Sequence, residues 1–171
     1  MRTPLQEPEP EPASALAGFS VSVESEPVQQ DGIHLVVVIE HDAPAGAAIM
    51  NPLDFLASGV LLLDGRGAPV SLPRVVSRLK VNTPSAALRL PFRLDFIESG
   101  GKVLAREETE AAMMHFQPRD ELRIGITLDR GEDERPLPPG DYQVEIILRL
   151  AAKASQTRTF ESPPIAVRTT S

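Results

Sequence analysis

The sequence predicts an all-β protein, an antiparallel β-sandwich of about eight to ten short strands. Residues 120–167 alternate apolar with polar side chains, a period of two that cannot form the apolar stripe of a helix. The 171 residues include 17 prolines, which interrupt helices and favour short elements. Aromatic residues make up only 4% of the chain and Trp is absent, so Val, Ile and Leu must build the core, as suits a pleated sheet.

An acidic segment rich in Pro and Glu precedes the predicted domain. We expect residues 1–17 to form a flexible tail and residues 18–171 to form one β-sandwich domain. Repeated X-Pro bonds in residues 4–12 favour extended polyproline II. Two interpretations of this tail stay open: it is disordered, or it is an arm that docks on a partner or on the protein's own sheet.

The first half of the domain is predicted to contain strands around one irregular segment. Residues 19–24 alternate and form a half-exposed strand, whereas residues 33–40 are apolar on both faces and form a central strand. Residues 52–57 could hold a single helical turn. A buried strand at residues 60–63 ends in the hairpin signal Asp64-Gly-Arg-Gly.

The middle of the chain contains one ambiguous segment. Residues 75–81 and 88–96 alternate as strands, and Pro91 places the second strand at an edge or a bulge because it lacks a ladder donor. Residues 106–114 have the strongest helix propensity of the chain. Their neighbours are all strands, so we expect residues 102–117 to form a strand, a loop near the acidic residues, and a second strand.

The last third of the chain has the clearest strand pattern. Residues 122–128 and 142–150 alternate strictly on either side of Pro138-Pro139-Gly140, which reverses the chain. A final strand at residues 165–168 follows Pro163-Pro164.

Residues 137–150, followed by residues 160–167, resemble the last two strands of bacterial immunoglobulin-like or fibronectin III-like modules. In those modules a Pro-Gly turn begins a strand that opens with Tyr, as Gly140 and Tyr142 do here. Cytosolic proteinase-inhibitor sandwiches of bacteria are one such family. The resemblance implies an immunoglobulin-like sandwich in a bacterial protein, and it implies no functional residue. The chain lacks the cysteines and the core tryptophan of antibody domains.

Composition argues against several classes of function. A formal net charge of −7 predicts no nucleic-acid partner and no attachment to anionic lipid through basic charge. Without cysteine, the chain has no disulfides, thiolate nucleophiles or zinc–sulfur sites. No apolar run reaches the roughly 20 residues of a membrane helix, and none after Met1 resembles a signal peptide, so with Met1 as the native start we expect a cytoplasmic protein.

Candidate reactive residues do not form a catalytic or metal-binding pattern. His34 and His41 are seven residues apart, which places them on opposite faces of a regular strand. Acidic residues crowd the segment 129–134, where a calcium site is one alternative and a solvated loop is the other. We therefore expect a protein that is not an enzyme and that has no cofactor.

The sequence is interpreted as a non-enzymatic protein-interaction or structural module, a subunit or adaptor of a larger assembly. Its partner is expected to be another protein or a second copy of the chain. The alternatives are a proteinase-inhibitor-like sandwich and a calcium- or carbohydrate-binding sandwich. Loops at the ends of a sandwich and cationic strand residues are the candidate contacts: Asn51, Asp54, Phe55, Arg89, Arg93, Arg130, Glu132 and Arg135. For cationic residues on strands, the alternative is that they line exposed faces and discourage aggregation.

Overall fold

The computed structural model describes residues 1–7, 16–73, 90–152 and 156–171, and this part of the chain consists mainly of β-strands. In chain order the elements are β1 (Arg2–Pro4), β2 (Phe19–Ser25), β3 (Val28–Gln30), β4 (Ile33–His41), β5 (Ala47–Met50), α1 (Pro52–Leu56), β6 (Val60–Asp64), β7 (Arg93–Ser99), β8 (Lys102–Val103), α2 (Arg106–Thr109), β9 (Met113–Phe116), β10 (Glu121–Leu128), β11 (Gly140–Ala151), β12 (Thr157–Glu161) and β13 (Ile165–Thr170).

Two main sheets share one core. The first sheet has the strand order β1-β2-β4-β10-β7-β8, and the second has the order β12-β11-β13-β3 with β6 also paired to β11. One cluster of buried side chains joins them, with Val37 and Ile124 from the first sheet and Val144 and Leu148 from the second. The predicted all-β sandwich is confirmed. The described residues contain 13 strands, more than the expected eight to ten. Three of them, β1, β3 and β8, are only two or three residues long, too short to show an alternating pattern.

The predicted apolar faces of two strands in the last third are buried, although in β10 Gly125 and Thr127 on the opposite face are buried as well. In β10 the side chains of Leu122, Ile124 and Ile126 are buried, and in β11 those of Val144 and Ile146 are buried. The two strands belong to different sheets, so the segment between them crosses from one sheet to the other and does not join neighbouring strands. Side-chain alternation specifies which face of a strand is buried, but not which strand lies beside it.

The strand that follows β11 is interrupted by proline. β12 pairs with the second half of β11, where Ile147 is opposite Glu161, and β13 pairs with the first half, where Val144 is opposite Ile165. Between them the hydroxyl of Ser162 accepts a hydrogen bond from the backbone N–H of Ile146 at 2.7 Å. Residues 163 and 164 are prolines and cannot donate to the ladder, which accounts for the break.

The ambiguous segment, residues 102–117, forms two strands as expected. β8 and β9 flank it, and β9 pairs with β5 in a small third sheet. The acidic residues between them form the single helical turn α2 where a loop was expected. Glu108 accepts a hydrogen bond from the backbone N–H of Ala105, a local contact that stabilises the first turn of a helix.

Of the two interpretations of the N-terminal segment, residues 1–7 agree with the arm that docks on the protein's own sheet and differ from a flexible tail. Residues 2–4 form β1, which pairs antiparallel with β2 at the edge of the first sheet. Leu5 is 7% exposed and Leu16 is 0% exposed, so both contribute to the core ahead of the predicted boundary at residue 18. Most of the Pro-Glu run and the predicted strand at residues 75–81 lie outside the described residues.

Candidate functional site

The predicted partner-binding residues separate into two groups at opposite ends of β11. Phe55 lies beside Arg149, whose guanidinium carbon is 5.9 Å from the centroid of the ring. The charged loop at residues 130–135 ends just before Gly140, where β11 begins. From Gly140 to Arg149 an extended strand spans about 30 Å, at roughly 3.3 Å per residue. The centre of a single interface of ordinary size can therefore include only one of these two groups.

Asn51 belongs to the interior and is not a surface residue. Its side chain is 1% exposed, and its amide oxygen accepts a hydrogen bond from the backbone N–H of Leu53 at 3.0 Å, which caps α1. Its amide nitrogen donates to the carbonyl oxygens of Thr109 and Ala111, each at 2.8 Å. The polar groups of Asn51 thus connect α1 with the last residue of α2 and with the segment that follows it. Asp54 and Phe55 are half-buried.

The second group lies on a continuous area of surface. We call it the loop-end surface: residues 129–137 together with residues 70–73 and 90–93. The residues of its central loop hold one another through backbone hydrogen bonds: Leu137 N–H donates to Asp129 O at 2.9 Å, and Gly131 N–H donates to Arg135 O at 3.1 Å. Glu132 N–H donates to Ser71 O at 2.8 Å, which joins the loop to its neighbour. Such a loop loses little conformational entropy when a partner binds.

Arg93 and Arg130 come from different segments and meet at one carboxylate. Asp129 lies 3.3 Å from a guanidinium nitrogen of Arg93 and 3.7 Å from one of Arg130. The Arg93 side chain is 57% exposed and that of Arg130 is 51% exposed, so each keeps donors facing water. A partner can use these donors without breaking the contacts to Asp129, because a guanidinium has five N–H groups.

Two grooves lie on either side of the charged loop. One, of about 620 Å³, is lined by Val70, Leu137, Glu132 and Arg135 among others. The other, of about 530 Å³, is lined by residues that include Leu90, Phe92, Arg93 and Arg130. Each groove combines apolar side chains with charged ones, the composition of a polar protein-binding surface. Four of the predicted contacts therefore converge here: Arg93, Arg130, Glu132 and Arg135. Arg89 lies outside the described residues.

The histidines follow the strand parity that the sequence predicted. His34 is exposed, and its Nδ1 lies 2.7 Å from the hydroxyl of Thr127. His41 is 1% exposed and packs on the rings of Phe19 and Phe116, with centroids 4.6 and 6.2 Å away. Among the described residues, no group of three His, Asp or Glu side chains is arranged to hold a metal ion. Neither helix of the described residues combines the length and the apolar character needed to span a membrane.

An ion-pair network on the outer face of the first sheet was not predicted. Glu24 lies 2.5 Å from Arg123 and 2.9 Å from Arg2, while Arg123 also contacts Glu121 at 2.9 Å and Arg2 contacts Glu40 at 3.1 Å. The hydrogen bond from Arg123 holds the pKa of the Glu24 carboxyl below its usual value of 4.5, and the same pairing raises the pKa of Arg123. The alternating pattern of β10 predicts that Arg123 lies on the outer face. Its partners could not be predicted, because they depend on which strands are neighbours in the sheet.

Comparisons with known proteins identify no family. No family model and no curated protein matches the chain. Among solved structures, the chain is similar to AggA, the major subunit of aggregative adherence fimbriae type I from Escherichia coli, at 13% sequence identity. The match covers 89% of this chain and 94% of that chain, with a TM-score of 0.35. A likeness at this level has no bearing on function.

Proposed function

We propose that this protein is a non-enzymatic interaction subunit, and that its protein partner binds the loop-end surface. The proposal rests on one observation: the exposed residues Arg93, Arg130, Glu132 and Arg135 converge on one surface from two separate segments.

The loop-end surface suits a protein partner because it combines charge with apolar side chains. Oriented charges steer an approaching protein and define its orientation, and the apolar parts of the grooves supply the area that must be buried. Glu132 and Arg135 carry opposite charges close together in sequence, so a partner with the reverse pattern would pair with both. Both side chains are exposed, and the loop is held by the backbone groups of these residues.

The test is affinity capture with variants of matched charge. The double variant Arg93→Ala/Arg130→Ala removes two exposed cations from the loop-end surface. The control, Lys102→Ala/Arg106→Ala, removes two exposed cations elsewhere on the molecule, on β8 and α2. We expect the first variant to lose about tenfold or more of the partner that the unmodified protein recovers, since exposed arginines at the centre of an interface are frequent hot spots. The control should recover the partner fully.

Two results would overturn the proposal. One is equal recovery of the partner by both double variants, which would place the contact elsewhere on the molecule. The other is recovery of no stoichiometric partner by the unmodified protein from cells that produce it.

A further inference from the structure

The N-terminal segment closes one side of the sandwich by pairing with both sheets. We call residues 1–7 the arm. In the first sheet Arg2 is opposite Glu24, and the backbone N–H of Leu5 donates to Val21 O at 2.8 Å. One residue later the arm moves to the second sheet, where Gln6 and Glu161 exchange backbone hydrogen bonds of 2.9 and 2.7 Å. The arm thus covers edge groups of β2 and β12.

Specific side chains hold the arm in place. Leu5 is 7% exposed and belongs to the same apolar cluster as the two sheets. Arg158, on β12, donates hydrogen bonds to the Glu7 carboxylate, to Leu16 O and, at 3.0 Å, to Phe19 O. The Arg158 side chain is only 13% exposed, so these contacts form in a largely desolvated place where they are strong.

Residues 8–15 connect the arm to the rest of the chain, and their sequence disfavours a compact connection. Glu7 and Leu16 both contact the guanidinium of Arg158, so these two described residues lie close together. Residues 8–15 lie between them and include Pro8, Pro10 and Pro12. Proline at alternate positions favours polyproline II, in which eight residues extend over about 25 Å. A connection that prefers to extend disfavours placing the arm on its own sheet.

We propose that two copies of this chain exchange their arms, each arm pairing with β2 and β12 of the other copy. Every contact of the arm can be made again between copies, because the edge that receives it is identical in both. The connection can then extend, and the exchange closes as a two-fold symmetric dimer. The exchange is independent of the loop-end surface, and it makes the partner of the arm a second copy.

Protein concentration determines the balance between the two forms. The chain's own arm is present at an effective concentration of about millimolar, whereas the arm of a second copy is present at the protein concentration. In the monomer, whose arm lies on its own sheet, residues 8–15 must fold back. The free-energy cost of this folding back reduces the advantage that the high effective concentration gives to the monomer. The dimer should therefore increase with protein concentration and appear at twice the chain mass of 18.5 kDa.

The exchange can be tested with introduced thiols, because the chain contains no cysteine. Pro4 on β1 is opposite Ser22 on β2, and both can be replaced by Cys. Two single variants, Pro4→Cys and Ser22→Cys, are mixed in denaturant, refolded at high concentration and oxidised. Neither variant can form this disulfide within its own chain. The control replaces Ser22→Cys by Ser20→Cys, an exposed position two residues further along β2 and too far from residue 4 for a disulfide.

Exchange predicts a disulfide between residues 4 and 22 of different copies, with at least about tenfold more linked heterodimer than the Ser20→Cys control. The double variant Pro4→Cys/Ser22→Cys, refolded at low concentration, shows whether the arm lies on β2 at all. The proposal is overturned if this double variant links within one chain while the mixed single variants link no more than the control. It is also overturned if the double variant does not link.

Discussion

Glu24 is a charged residue of β2 whose role depends on residues from two other strands. It lies between Arg2 of β1 and Arg123 of β10, and about a third of its side chain is exposed to water. The guanidinium of Arg123 stabilises the ionised form, which lowers the pKa of the carboxyl. A lowered folded-state pKa means that the ion pair stabilises the fold above the unfolded value of 4.5, and that this stabilisation is lost as pH falls through the folded pKa.

We therefore expect Glu24→Gln to destabilise the protein at pH 7 by about 0.5–1 kcal/mol, a modest effect because water screens the pair. The difference from the unmodified protein should shrink as the pH falls below about 4.5, where the carboxyl becomes protonated in the unfolded chain. Urea denaturation at pH 7 and at acid pH measures this difference. Glu26→Gln, at an exposed residue nearby, is the control and should show little change. A deficit for Glu24→Gln that stays constant with pH would contradict the assignment.

At the same scale, the sequence predicted the faces of these residues better than their partners. The alternation in β10 placed Arg123 on the polar face, and the structure agrees. Its contact with Glu24 arises because β2, β4 and β10 are adjacent. Asn51 shows the opposite failure: an amide in an irregular segment looked like a surface residue, and nothing local revealed that the carbonyl groups of residues 109 and 111 would surround it.

Two glycines allow strands to approach each other more closely than any side chain would permit. A Cβ added at Gly125 would lie 2.5 Å from the ring of Phe96, which covers that position of β10. A Cβ at Gly59 would lie 1.8 Å from the carbonyl oxygen of Ile147, whose own backbone N–H donates to Gly59 O at 2.7 Å. Phe96 can move its ring, but the Ile147 carbonyl belongs to the backbone of β11.

For this reason we expect Gly59→Ala to cost about 1–3 kcal/mol of unfolding free energy, since the start of β6 must separate from β11. Gly131→Ala is the matched control, because its added carbon would meet neighbouring atoms only at 3.4 Å or more. Thermal or chemical unfolding compares the two variants. Equal stability of both would show that β6 is not held against β11 in this register.

Elements with strong local patterns were predicted well, and elements made by long-range contacts were not. The central strand β4, the single turn α1 and the alternating β11 follow from periodicity and from proline and glycine positions. The arm was missed as a strand because β1 is three residues long and contains no Val, Ile, Leu or aromatic residue. Its pairing with β2 depends on an edge formed about twenty residues later in the chain, which no local pattern encodes.

At the scale of the whole molecule, the interior between the two sheets is filled by aliphatic side chains, and the grooves described above lie at the surface. Binding at an end of the sandwich, as we propose, requires only exposed, well-held loops. Composition predicted the aliphatic core, but only the fold shows that Arg93 and Arg130 share one surface while Phe55 lies at the other end of β11.

Hydrogen–deuterium exchange of the protein, alone and with the partner it recovers, tests the proposed binding surface most directly. Backbone amides that a partner covers exchange more slowly with solvent. If the partner binds the loop-end surface, residues 129–137 and 90–93 will gain protection, and residues 51–56 at the far end of β11 will not change. Protection at residues 51–56, with none at 129–137, would contradict the account.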